Sequence, residues 1–182
     1  MKKFFTLLFI FLFTFCFSLE VSAITLKGRV TYQSKEVKDA LANVDEVRKE
    51  AFEISQQSFD VSSHKKYFND PFYRENKRFA KEKRNGARNR FITHFSDGSY
   101  CISYDDTPDI TYYYNGKGKL KFIEYDDNSD ITPRYDTTGK LSSISITQNK
   151  VEYIFNTNGD LIAFWINSKA YKPNGIFLKK RW

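Results

Sequence analysis

The sequence predicts an α+β fold, with one or two N-terminal amphipathic helices packed on an antiparallel β-meander of short repeated hairpins. Three observations predict it. Apolar residues between 35 and 56 recur on a helical period. From residue 91 onward, aromatic and β-branched residues alternate with polar ones. A turn motif then recurs about every twenty residues to the C-terminus.

The first element is an expected export signal. Met1 is followed by Lys2 and Lys3, and Phe4 to Leu19 is almost unbroken apolar before Glu20. Val21-Ser22-Ala23 puts small residues where a signal peptidase reads, with Ala23 at the cut. The apolar run would span ~24 Å as a helix, short of the ~30 Å hydrocarbon core, so a cleaved signal is expected rather than an anchor. The expected organisation is a signal at 1–23, a helical region at 24–90 and a β-repeat region at 91–182, with 24–182 forming one domain and no integral membrane span. The expected address is secreted, periplasmic or cell-surface. The Met-Lys-Lys start and the Lys/Asn-rich body suit an AT-rich bacterium.

Ile24 to Gln33 reads as a strand. In the helix at 35–56, Val37, Leu41, Val44, Val47, Ala51 and Ile54 form one stripe, and Ser34 is the expected N-cap. Phe59 to Phe68 reads as irregular. A second helix is expected from Pro71 to Arg84, capped by Asp70 and stopped by Asn85-Gly86. Phe91–Phe95, Ser96-Asp97-Gly98 and Tyr100–Tyr104 read as the first hairpin of a meander of about seven to nine strands.

Two repeats overlie the β-region. Tyr104-Asp-Asp-Thr-Pro-Asp-Ile-Thr111 matches Tyr125-Asp-Asp-Asn-Ser-Asp-Ile-Thr132 at an offset of 21. The turn motif runs through Tyr114…Gly118…Leu120, Tyr135…Gly139…Leu141, Phe155…Gly159…Leu161 and Tyr171…Gly175…Phe177, with Phe95-Ser-Asp-Gly98 as a contracted opening copy. An aromatic ends one strand, Asn or Asp starts the turn, Gly supplies positive φ, and Leu re-enters the sheet beside the aromatic. This motif resembles the YD repeats of RHS-like and teneurin-like proteins, most closely at Tyr135-Asp136-Thr137-Thr138-Gly139-Lys140-Leu141. Related aromatic–Gly–Leu hairpin repeats share it. The resemblance covers about 95–177 and implies stacked hairpins.

The net charge is +7. The excess of the mature chain sits in Arg74, Lys77, Arg78, Lys81, Lys83, Arg84, Arg88 and Arg90, which form a candidate polyanion-binding patch. Export argues against nucleic acid as its partner and leaves a protein or an envelope polyanion. Asp105, Asp106, Asp109, Asp126, Asp127 and Asp130 are candidate calcium ligands, although Asp also recurs simply as a turn residue. Tyr112, Tyr113, Tyr114, Trp165 and Trp182 form a candidate sugar platform. Cys101 would remain after the signal and reads as a buried strand residue.

His64 and His94 have no catalytic spacing, and no hydrolase, zinc or phosphate-loop motif is present. The expected role is therefore an exported, non-catalytic binding or structural module that needs no cofactor. The rivals are a small nuclease-like toxin or hydrolase using His64, His94 and the basic patch, and a carbohydrate- or calcium-binding module.

Overall fold

The computed structural model describes residues 33–52, 59–126 and 130–182. The export signal with its cleavage site at Ala23, most of the strand expected at 24–33, and Asp127 lie outside the described residues.

The expected first helix is two helices, α1 (Lys35–Ala42) and α2 (Val44–Phe52). Ser34 Oγ accepts the Val37 N–H at 3.4 Å, as an N-cap does. The break falls at Asn43, a weak helix former, whose N–H reaches back three residues to Ala40. Its carbonyl then accepts the Glu46 and Val47 N–H groups and starts α2. The segment expected to be irregular holds a 3₁₀ helix, η1 (Ser62–Tyr67). The second expected helix is α3 (Tyr73–Glu82), shorter than predicted because Lys83 already takes the left-handed cap at φ 54. Among the described residues no helix is long and apolar enough to cross a membrane.

Eleven strands follow rather than seven to nine: β1 (Gly86–Ala87), β2 (Arg90–His94), β3 (Tyr100–Tyr104), β4 (Thr107–Tyr114), β5 (Leu120–Tyr125), β6 (Ile131–Tyr135), β7 (Leu141–Gln148), β8 (Val151–Asn156), β9 (Leu161–Ile166), β10 (Lys169–Tyr171) and β11 (Phe177–Lys180). The additional strands are the short β1, β10 and β11, which carry too few residues to show alternation. Each strand pairs antiparallel with the next, so the sheet order is the chain order. The sheet curls into a half-barrel until its ends meet at one corner. There Phe95 bridges Arg181, Ser96 N–H reaches the Lys180 carbonyl, and Trp182 N–H reaches the His94 carbonyl.

Strand alternation divides the side chains between two faces. On the convex face, α1 and α2 bring Val37, Ala40, Val44 and Val47 onto Ile144, Ile146, Tyr153, Phe155 and Phe164. On the same face, η1 and α3 bring Tyr67 and Phe79 onto Ile92, Tyr100, Ile102, Tyr112 and Tyr114. Asp70 anchors this second cluster, accepting from Tyr100 Oη at 2.5 Å, Asn76 Nδ2 at 2.9 Å and Phe72 N–H at 2.8 Å. The concave face holds Phe95, Cys101, Ile154, Ala163, Trp165 and Ala170.

An antiparallel meander sends alternate turns to opposite rims. One rim carries the turns after β2, β4, β6, β8 and β10, at Gly98, Gly118, Gly139, Gly159 and Gly175, each with positive φ. We call this the glycine rim. The other rim carries the turns after β3, β5, β7 and β9. Each Gly N–H returns to the carbonyl three residues earlier: Gly118 to Asn115, Gly139 to Asp136, Gly159 to Asn156 and Gly175 to Lys172. This is a type I turn closed by a left-handed residue. In three copies an Asx side chain completes it. Asn115 Oδ1 accepts from Lys117 and Lys119 N–H, Asp136 Oδ1 from Thr138 and Lys140 N–H, and Asn156 Oδ1 from Asn158 and Asp160 N–H.

The predicted aromatic–Leu pairing appears as direct cross-strand partners: Tyr114 opposite Leu120, Tyr135 opposite Leu141, Phe155 opposite Leu161 and Tyr171 opposite Phe177. The opening copy is displaced by one residue from the predicted alignment. His94, not Phe95, takes the aromatic place, opposite Tyr100. Phe95 stands where Asn115 and Asp136 stand, because Gly98 N–H returns to its carbonyl.

Candidate ligand cavity at the glycine rim

The concave face encloses a cavity of about 560 Å³ that opens at the glycine rim. Phe95, Tyr113, Phe122 and Trp165 supply its aromatic wall, with Ile154, Ala163 and Ala170 between them. The rings are ordered against one another. Tyr113 stacks on Phe122 with centroids 4.2 Å apart and on Phe95 at 6.4 Å, and Phe95 meets Trp165 at 5.6 Å. The rim contributes Asp97, Ser99, Lys121 and Lys179, together with the exposed Ile162 and Leu178.

A buried charge cluster closes the floor. Arg134, 4 % exposed, donates from Nε to Glu124 at 2.5 Å and from Nη2 to Glu152 at 2.7 Å. Tyr113 Oη donates to Glu124 at 3.1 Å and Ser145 Oγ to Glu152 at 2.9 Å. Arg181, whose guanidinium lies over the Trp165 ring, reaches Glu152 at 3.5 Å. Burial pulls the Arg134 pKa down, but Glu124, Tyr113 and Glu152 outweigh it and hold the guanidinium charged. Burial and the neighbouring Glu124 push the Tyr113 hydroxyl well above its ordinary range. These groups come from the neighbouring strands β4, β5, β6, β7 and β8, with Glu124 directly opposite Arg134, and the curl of the sheet adds Arg181 from the C-terminus.

Cys101 lies in β3 on this face, buried and unpaired. Burial, then Glu124, pushes its thiol up to about 12, so it is protonated at neutral pH. At the mouth, Lys179 pairs with Asp97 at 3.3 Å and donates to Ser99 Oγ at 3.1 Å. Burial raises the Asp97 pKa, but bonds from Ser99 and the Lys179 charge outweigh that and hold it low.

The other sequence candidates are placed as follows. The tyrosine platform is split by alternation: the Tyr113 and Trp165 rings face the cavity, Tyr112 and Tyr114 are buried under the helices, with Tyr114 also bordering the cavity, and Trp182 is exposed. Asp105, Asp106, Asp109, Asp126 and Asp130 all stand towards the rim opposite the cavity mouth, Asp105 and Asp106 at the turn after β3, Asp109 near the start of β4, and Asp126 and Asp130 at the turn after β5. Asp126 N–H bonds the Asp109 carbonyl, while Asp106 accepts from Tyr67 Oη and pairs with Lys66. Among the described residues no three carboxylate, imidazole or thiol side chains are grouped to hold a metal ion.

In the basic stretch, Arg90 is 3 % exposed and unavailable to a partner. It donates to Glu75 at 2.7 Å and to Asn76, and stacks 4.1 Å over Phe72. Arg78 pairs with Glu75 and Glu82. Arg74, Lys81, Lys83, Arg84 and Arg88 are exposed, and Lys77 is half-buried.

The histidines belong to separate aromatic settings. His64 Nδ1 lies 2.7 Å from Tyr112 Oη and its ring 5.1 Å from Phe59. His94 packs by Tyr100 with a buried Nε2 that has no partner among the described residues. Burial lowers both pKa values.

Of the aromatic wall, Tyr113 and Trp165 were among the sequence candidates as parts of a sugar platform, whereas Phe95 and Phe122 escaped because they are single residues on separate strands. The one available signal was polar residues at inward positions, Glu124, Arg134 and Glu152. Compared with known proteins, the chain matches no family model, no curated protein and no solved structure.

Proposed function

We propose that this protein is an exported, non-catalytic binding module whose ligand enters the half-barrel at the glycine rim. The observation that carries the reading is the aromatic-walled cavity at the mouth formed by the repeated turns. Its size and its mostly apolar wall with a few fixed polar groups are those of small-molecule sites. The repeat gives that mouth its frame, since every motif glycine turns the chain at the same rim. The non-catalytic reading is supported by chemistry at the floor. Arg134, Glu124, Glu152 and Arg181 are engaged with one another, and the Cys101 thiol is held in its protonated, unreactive form. Export rests on Lys2, Lys3, the apolar run and the Val21-Ser22-Ala23 site.

The test is a fluorescence titration with the neutral apolar probe N-phenyl-1-naphthylamine. The full chain binds the probe with a saturable rise in emission. Ala163→Trp, which fills the cavity, removes that saturable component while circular dichroism stays unchanged. A titration that is the same for both chains refutes the cavity as the site.

A further inference from the structure

We infer that the cavity takes an amphiphile with an anionic head, its apolar body against the aromatic wall and its head among the lysines of the glycine rim. The inference rests on the cavity being the binding site and adds the chemical class of the ligand. Its ground is a separation of charge between the two rims. The turns and strand ends of the glycine rim carry Lys117, Lys119, Lys121, Lys140, Lys172 and Lys179 against Asp97, Asp136 and Asp160. The opposite rim carries Asp105, Asp106, Asp109, Asp126 and Asp130 against Lys150, Lys169 and Arg88, with Lys66 paired to Asp106 and Arg90 buried on Glu75. An anion approaching the half-barrel is therefore drawn to the end at which the cavity opens.

The position of the head follows from desolvation. The charges on the floor already compensate one another, so a carboxylate buried there would lose its water with no free countercharge. At the mouth, Lys179 is committed to Asp97 and Ser99. Lys121 lines the cavity, is exposed, and has no ion-pair partner among the described residues. It is the cation to which a partly hydrated anionic head would bind. The exposed Ile162 and Leu178 on the same mouth extend the apolar wall outward, so the body of the ligand meets apolar surface along its length.

The test uses the full chain carrying Trp182→Phe, so that emission reports Trp165 in the cavity wall. Decanoate, decanol and decyltrimethylammonium are titrated in parallel, with Lys121→Gln as the rim variant and Ala163→Phe, which adds no second tryptophan, as the filled cavity. Vesicles of phosphatidylglycerol present an anionic head within a bilayer. Residues 4–19 are common to every variant, so only differences between chains count. Decanoate is expected to shift Trp165 emission and to bind roughly fivefold tighter than decanol, a gap that Lys121→Gln closes. The filled cavity is expected to bind neither. Decanol or decyltrimethylammonium binding as tightly as decanoate overturns the anionic head and leaves the cavity reading standing. No binding of any of the three overturns both. Vesicle binding that is equal in the wild-type and filled chains, without a decanoate effect on Trp165, assigns the basic rim to a membrane surface and also overturns the inference.

Discussion

Arg134 reaches Glu152 from two strands away, its Nη2 2.7 Å from the carboxylate, inside the half-barrel. The same guanidinium holds Glu124, so Arg134→Met leaves two inward-facing carboxylates without their shared cation. A loss of about 3–5 kcal/mol is expected in urea denaturation. The triple variant Arg134→Met, Glu124→Gln, Glu152→Gln regains much of that loss, because no buried charge is then uncompensated. A triple variant no more stable than the single one refutes the electrostatic account.

The turns offer a comparison of glycines. Gly98 has φ +81 with open space around it, whereas Gly139 has φ +83 with the Phe59 carbonyl oxygen 2.1 Å from where a Cβ would lie. Phe59 N–H also bonds the Gly139 carbonyl, so the backbones cannot part without losing that bond. Gly98→Ala is expected to cost about 1 kcal/mol from φ alone, and Gly139→Ala roughly 3 kcal/mol or more. Equal losses by chemical denaturation contradict the close approach.

His94 fills an aromatic position of the repeat with an unpartnered Nε2, and burial lowers its pKa. A group whose folded pKa lies below its unfolded value favours the native state above the unfolded pKa. That contribution is lost as pH falls from about 6.5 through the folded pKa. His94→Phe is expected to flatten the acid limb, raising Tm more at about pH 5 than at about pH 7.5. An equal change at both pH values means that His94 binds its proton in the fold as it does in the unfolded chain, and refutes the burial effect. Burial lowers the His64 pKa as well, so part of the acid limb remains in the variant.

The basic stretch separates into an exposed set and one buried member. Neutralising the exposed Arg74, Lys81 and Arg84 is expected to lower the salt needed to elute the chain from heparin. Arg90→Met is expected to leave elution unchanged while lowering stability by about 2 kcal/mol through loss of the Glu75, Asn76 and Phe72 contacts. A change in heparin elution from Arg90→Met alone refutes that division.

The hairpins were legible because their cause is local. An Asx oxygen, two backbone N–H groups and a left-handed glycine lie within five residues, so Asn115–Lys119 and Asp136–Lys140 announce themselves. The helix stripe from Val37 to Val47 was legible for the same reason, and Asn43 broke it through a preference too small to read against the apolar period. The displaced opening copy shows where pattern matching misled. Phe95 looks like the repeat aromatic, but the hydrogen bonds of the turn count from His94. Alternation also divided Tyr112, Tyr113 and Tyr114 between two faces, although in sequence they form a single aromatic run. The Arg134 cluster was not legible, because Glu124, Arg134 and Glu152 are single residues on separate strands whose register the sequence does not show, and Arg181 joins them only where the sheet curls round.

Alternate turns on alternate rims give the twenty-residue period a mechanical meaning. One period is two strands and two turns, one at each rim, and it returns the chain to the same rim with the same face inward. Whole units are therefore the step by which such a chain can grow or shrink. Half a unit would carry the next glycine turn to the acidic rim and break the ring of turns around the mouth. Adding a unit widens the half-barrel by two strand spacings, ~10 Å of arc, without lengthening it. The shorter last step, from Gly159 to Gly175, falls where β10 narrows to three residues and the chain closes onto β2. Copy number in this architecture thus sets bore, while each turn sequence sets the charge at one point on the mouth, so the two can vary independently.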